Sequence, residues 1–152
     1  MTTITLEAIE AKQSELSSLI EQYRAAAQGS IVELPSAKIQ LRPGERYAGL
    51  SLDDDGKPMC HLILLPTFVD DIDWEEAGDW AESQGGDLPT RREQALLYAN
   101  CKPHLQPRWH WSGQPHESEA SYAWLCCFGN GSQTYGRKGA KACAVAVRRV
   151  TV

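Results

Sequence analysis

The sequence predicts an α+β protein led by a long helix, and three observations carry that expectation. Apolar residues step at helical spacing from about Thr5 to Ala27. After Gly29 the texture changes to short β runs broken by turn residues. Between Asp73 and Asn100 two more helical patterns interrupt those runs.

The first helix is capped by Thr5 and can end at Gly29. Leu6, Ile9, Gln13, Leu16, Ile20 and Tyr23 alternate steps of three and four, which is a heptad seam with one polar position. An isolated helix of this length is marginal in water, so it packs on its own domain or on a copy of itself. The seam favours a homo-oligomer, a dimer or trimer, with Gln13 selecting register. Residues 1–29 are thus read as an oligomerisation segment and 30–152 as the domain.

Ile31 to Leu34 and Lys38 to Leu41 are expected strands around Pro35. Tyr47 to Leu52 and Met59 to Leu65 flank Asp53-Asp54-Asp55-Gly56-Lys57-Pro58, which is hairpin turn chemistry. The three Asp lack the further ligands and closing Glu of a calcium loop. Asp73 or Asp71 caps a helix that buries Trp74, Ala77, Trp80 and Ala81 and stops at Gly85-Gly86. Thr90 and Glu93 form a capping-box pair for the next helix, which buries Ala95, Leu96, Leu97 and Ala99. Strands follow: Trp109 to Ser112 with both Trp on one face, Tyr122 to Phe128, a Gly129-Asn130-Gly131 turn, Ser132 to Tyr135, and Lys141 to Val150.

Composition excludes several classes. At 152 residues the chain is one domain with an appendage, long enough to bury a core unaided. No apolar run approaches the ~18 residues of a membrane span, so no membrane partner is expected. Residues Met1 to Leu6 carry no secretory pattern. Five Cys, none spaced Cys-x-x-Cys, argue for reduced thiols in a cytoplasmic protein rather than a disulfide framework. The net charge of −5 argues against general nucleic-acid binding. It is unevenly spread, with eight acidic and no basic residues from Asp70 to Asp87, and five basic and no acidic residues from Ala120 onward. These runs are either solvated faces or, in the C-terminal third, a place for an anionic partner.

A set of pieces in order carries a family likeness: Trp74-Glu75-Glu76-Ala77, Gly85-Gly86-Asp87-Leu88-Pro89-Thr90-Arg91-Arg92-Glu93, Trp109-His110-Trp111-Ser112, Ala123-Trp124, Phe128-Gly129-Asn130-Gly131 and Ala144-Val145-Ala146-Val147-Arg148-Arg149-Val150. From about Tyr47 to Val150 the chain resembles phage and prophage domains of unknown function with a C-type lectin-like fold. It is similar to the C-terminal domain of the Legionella collagen-like adhesin, and more distantly to retroelement-diversified variable proteins and formylglycine-generating-enzyme-like domains. The resemblance implies a mixed, mainly antiparallel sheet with two helices. It also implies a structural Leu-Pro-Thr-Arg stretch and a binding face built from the loops between the Trp-x-Trp-Ser strand and the last strand. The triplets of calcium-dependent sugar-binding lectins are absent, Gln114-Pro115-His116 being a superficial echo, and no copper-binding Cys pair matches.

His104, His110 and His116 recur every six residues near Cys101 and Cys126, but the spacing fits no compact zinc site, so no metal or cofactor is assigned. Cys101 with His104 lacks an orienting third group, which leaves an oxidase or hydrolase on this fold as the enzymatic alternative. A non-catalytic contact surface is favoured. Trp109, His110, Gln133, Tyr135 and Arg137 are the expected exposed contacts, with Asn130 and Lys138 beside them. Trp111 and Trp124 are assigned to the core, and Arg148 and Arg149 to structural or solvated roles. The partner is a host or phage protein or a small ligand. The chain is then either a virion component or a counter-defence protein that blocks a host immune factor or signal in the host cytoplasm.

Overall fold

A computed structural model describes residues 5–29, 32–34 and 36–152. Two compact units, Met1–Glu33 and Leu34–Val152, divide the chain. In the first, α1 spans Leu6–Ala27. Thr5 caps it by accepting the Ala8 N–H, and Glu7 and Arg24 sit at the helix ends whose partial charges they complement. It ends by turning extended at Gln28, not through a left-handed Gly29. None of its side chains is buried, including all six seam residues Leu6, Ile9, Gln13, Leu16, Ile20 and Tyr23. Among the described residues no helix is long and apolar enough to cross a membrane.

The second unit is a six-stranded sheet: β1 (Arg46–Leu52), β2 (Pro58–Ile72), β3 (Trp109–Pro115), β4 (Tyr122–Cys127), β5 (Gln133–Arg137) and β6 (Ala142–Thr151). The spatial order is β1-β2-β6-β3-β4-β5, antiparallel except for β3 beside β6. The β1–β2 turn closes on Asp53, whose Oδ1 accepts the N–H groups of Asp55 and Lys57. β2 runs past the expected stop at Leu65. Pro66 cannot donate to the ladder, so pairing with β6 lapses after Leu64 and resumes at Phe68. The expected strand at Lys38 to Leu41 is absent, and Val32 to Leu34 are also irregular, while Ile31 and Pro35 lie outside the described residues. Side chains fix this stretch instead. Arg148 Nη2 donates to the Gln40 carbonyl, and Glu45 accepts the Arg42 N–H.

Helices cover both faces of the sheet. α2 (Trp74–Ser83) starts with a capping box of Asp73 and Glu76. It sets Ala77 and Ala81 in a core cluster with Ala144, Ala146, Trp111 and Leu125. α3 (Arg91–Cys101) starts with the expected capping box of Thr90 and Glu93. It packs Leu97 and Cys101 in a second cluster with Val145, Val147, Cys126 and Phe128. Its buried face is the expected one only in part: Leu97 is buried and Leu96 half-buried, but Ala95 and Ala99 are exposed, and Glu93 and Gln94 are buried in their place. Trp74 and Trp80 are half-buried rather than buried. The covered indoles find acceptors, buried Trp111 donating to the Ile72 carbonyl at 3.0 Å and Trp74 to the Ser112 carbonyl at 2.8 Å.

Two guanidiniums at the end of β6 hold buried carboxylates. Arg149 donates to both oxygens of Glu93. Arg148 does the same to Glu45, at 2.8 and 2.7 Å. Hydrogen bonding from Arg148 holds the Glu45 carboxyl down to about 2, against an ordinary 4.5. A carboxyl depressed in the folded state contributes stability that is complete above the unfolded value and lost as pH falls through the folded one. Stability is therefore expected to drop between pH 4.5 and about 2. Arg148→Gln should flatten that slope in denaturant melts taken across the interval.

Candidate functional site: an aromatic and guanidinium surface

Strand alternation and register build the site. On β4, Tyr122 and Trp124 share a face with Cys126, which belongs to the core under α3. The register opposes Tyr122 with Arg137, Trp124 with Tyr135 and Cys126 with Gln133. All six therefore stand on the α3 side of the sheet. Tyr135, 49% exposed, is the hub. Its ring lies 5.4 Å from Trp124 and 5.8 Å from Tyr122, both edge-on, and 4.4 Å from His116 of the β3–β4 loop. Such edge-on aromatic pairs add about 0.5–1.5 kcal/mol each beyond their burial.

Arg91, the first residue of α3, lays its guanidinium 3.5 Å over the Trp124 ring. Gln133 clamps it from both sides: Arg91 Nε donates to Gln133 Oε1 at 3.0 Å, and Gln133 Nε2 donates to the Arg91 carbonyl at 2.7 Å. The Arg91 N–H donates to Gln114 Oε1. Its Nη1 reaches Glu117 only at 3.9 Å, so among the described residues the outer edge of the guanidinium has no close hydrogen-bond partner. Glu117 accepts the Trp124 indole N–H. Its own backbone N–H, first, and then Trp124, His116 and Arg91 hold its carboxyl below the usual range. Arg137 Nε donates to the Tyr122 hydroxyl at 3.3 Å. The result is an aromatic platform whose rings stand edge-on to one another, with two oriented guanidiniums beside it.

This arrangement suits recognition better than bond-breaking. Ser118 Oγ lies 3.4 Å from His116 Nδ1, but that nitrogen already accepts the N–H groups of Ser118 and Glu119. Its lone pair is therefore not free to take a proton from the hydroxyl. Cys101 is buried and its thiol is raised by desolvation, while His104 is exposed on a short 3-10 turn. Burial likewise pushes Cys126 and Cys143 up to about 11. Among the described residues no three His, Cys, Asp or Glu side chains are grouped to hold a metal ion.

The expected contact residues divide. Gln133, Tyr135 and Arg137 converge on the platform. His110 does not: it is 0% exposed, packs on Phe128 and shares Nδ1 with the Arg108 carbonyl. Burial pushes its ring down to about 4, so it is neutral. Trp109 is 41% exposed, but it alternates with His110 and so stands on the opposite face from Tyr135. Asn130 is exposed and folds back to accept the Ser132 N–H. Lys138 sits over the Trp74 ring at 4.3 Å, tying β5 to α2. Trp124, expected in the core, is only half-buried and belongs to the platform. Arg91, His116, Glu117 and Tyr122 were not expected there. A signal for Tyr122 and Trp124 lies in the Gly129-Asn130-Gly131 turn, whose position sets the pairing of the flanking strands.

A concavity of about 440 Å³ away from the platform is lined by Ser36, Ala37, Ile39, Leu41, Tyr47 and His61. It offers one polar pair, the Tyr47 hydroxyl 2.9 Å from His61 Nδ1. Fewer groups converge there than on the platform. Compared with known proteins, the chain matches no family model and no curated protein.

Proposed function

We propose that this chain is a non-catalytic binding protein of phage or prophage origin. It recognises a protein or small ligand through the loop side of a C-type lectin-like domain displayed on a homo-oligomer. The observation that carries this reading is the Tyr135 platform, with Arg91 locked over Trp124 by Gln133. Rigid aromatics beside oriented guanidiniums are the residue types on which binding energy concentrates. The mixed sheet with a helix on each face supports the lectin-like part of the reading. The exposed heptad seam of α1 supports self-association as a dimer or trimer, which raises avidity without new contacts. Five unpaired cysteines support a role in the reducing host cytoplasm, where the chain would block an immune factor or signal. A virion-borne receptor-binding role is the alternative.

The test is capture from host lysate by the full chain, compared with Tyr135→Ala and Arg137→Ala. Each variant should weaken capture by about 30-fold, the effect of losing one hot spot, with both folded at the capture temperature and Tyr135→Ala alone melting lower, by the loss of its aromatic pairs. Unchanged capture by both well-folded variants removes the site assignment. An immune factor in the captured material supports counter-defence, and an envelope component supports adhesion. In the same preparation, Leu16→Glu with Ile20→Glu should reduce the solution mass to that of one chain.

A further inference from the structure

β5 is one of the two outer strands of the sheet, and it is the one with unbroken pairing. The opposite edge, β1, is interrupted by two register shifts, at Tyr47/Gly49 and Ser51/Leu52. Such irregularities are a usual protection against edge pairing. β5 pairs with β4 in unbroken register and contains no proline.

The direction of its backbone groups follows from two hydrogen bonds. Cys127 N–H donates to the Ser132 carbonyl and Lys138 N–H to the Ser121 carbonyl, both at 2.8 Å. Bonded pairs in an antiparallel ladder alternate at every second residue. Thr134 and Gly136 therefore turn their N–H and C=O inward to β4. Gln133 and Tyr135 turn theirs outward, with the N–H of Arg137. The Arg137 carbonyl is taken by the Ala140 N–H. These same three residues place their side chains on the platform. Backbone donors and acceptors without a partner among the described residues, an exposed ring and a guanidinium thus lie along one line. No acidic residue occurs from Ala120 to Val152, and the Glu117 carboxylate at the platform is turned to Trp124 and Arg91 rather than to Arg137.

We infer that the outer edge of β5 takes up an extended acidic segment of a partner protein as an added strand. Its backbone pairs with Gln133, Tyr135 and Arg137, and its carboxylates meet the guanidinium of Arg137. Main-chain bonds give affinity in this mode and alternate side chains give selectivity. Carboxylates suit guanidinium forks in both charge and geometry. The inference rests on the platform being the binding surface.

The probe is a capped peptide, acetyl-Thr-Glu-Val-Glu-Thr-Glu-Val-amide, followed by amide hydrogen exchange on the full-length protein. In the free protein the amides of Gln133, Tyr135 and Arg137 should exchange fast, and those of Thr134 and Gly136 slowly. Peptide should slow the three outward amides at least about tenfold, as closure of a ladder hydrogen bond does. The same peptide with Lys for Glu, or with alternate N-methylated residues, should not. Arg137→Ala should weaken the Glu peptide at least about tenfold, the scale of a charge-assisted hydrogen bond. Three outcomes overturn the inference: outward amides already protected in free protein, which means a second copy pairs there; equal protection by glutarate, which means a small-anion site; or no protection by the Glu peptide. Loss of lysate capture in Tyr135→Ala without protection of the outward amides leaves the binding surface standing and removes strand addition alone. Unchanged capture in that variant and in Arg137→Ala, with no protection, removes both.

Discussion

Arg149→Met is expected to destabilise the domain by about 3–5 kcal/mol, the cost of stranding one member of a buried ion pair. Glu93 is 1% exposed, and it is held by Arg149 Nε at 2.6 Å and Nη2 at 2.7 Å. Its Oε2 also accepts the Thr90 N–H that begins α3. Arg149 Nη1 continues to Asp87 at 2.8 Å. Removing the guanidinium leaves the carboxylate to be buried alone or protonated. At this size the melting temperature should fall by roughly 6–20 °C. The double variant Glu93→Met with Arg149→Met should regain part of the loss, because no charge is left stranded, although the capping bond to Thr90 is gone. Urea melts of the two single variants and the double variant measure this. A loss below about 1 kcal/mol in Arg149→Met would mean that Glu93 does not depend on this partner. The pair matters for the site because Arg91 lies two residues before Glu93. Fixing the first turn of α3 to β6 places Arg91 where Gln133 locks it over Trp124.

Features set by neighbours in sequence were legible, and features set by what covers a face were not. The Thr90/Glu93 and Asp73/Glu76 capping boxes each close within four residues, and the Asp53 turn closes within five. Asp73, not Asp71, is the cap; Asp71 instead adopts a left-handed φ of 54°. Alternation along Trp109-His110-Trp111 correctly separates two sets of side chains. It does not say that helices cover both sides of the sheet. With α2 on one side and α3 on the other, Trp111 and His110 are both buried. The Lys38 to Leu41 stretch has a strand-like composition but no ladder partner. Trp124 was misplaced for the converse reason. It shares its face with buried Cys126, but its neighbours across the sheet are Tyr135 and the end of α3 rather than the helix body. Arg91 belongs to the site only through packing of α3 on the outer strands, which no local pattern encodes.

Gly85 and Gly86 should respond differently to the same substitution, and the contrast tests how the platform is held. Gly85 has φ +80° with open space around a built Cβ. Gly85→Ala should therefore cost about 1–2 kcal/mol, the penalty of a left-handed backbone, and nothing more. Gly86 has an ordinary φ but no room. A Cβ there would run into the backbone carbonyl of Val147 and the Leu65 side chain. The carbonyl cannot yield, because it accepts the Asp87 N–H at 2.9 Å while the Val147 N–H donates back to Asp87. Gly86→Ala should cost about 3 kcal/mol, the upper end for overpacking a fixed site. It should also shift Asp87, Leu88 and Pro89 outward from β6. Those residues lead directly into Thr90 and Arg91, so the guanidinium over Trp124 moves with them. Gly85→Ala should then keep full partner capture at a slightly lowered melting temperature. Gly86→Ala should lose capture even where it remains folded, and Trp124 fluorescence should change as its cation partner leaves. Equal behaviour of the two variants in melts and capture would mean that the Asp87–Val147 bridge does not position Arg91.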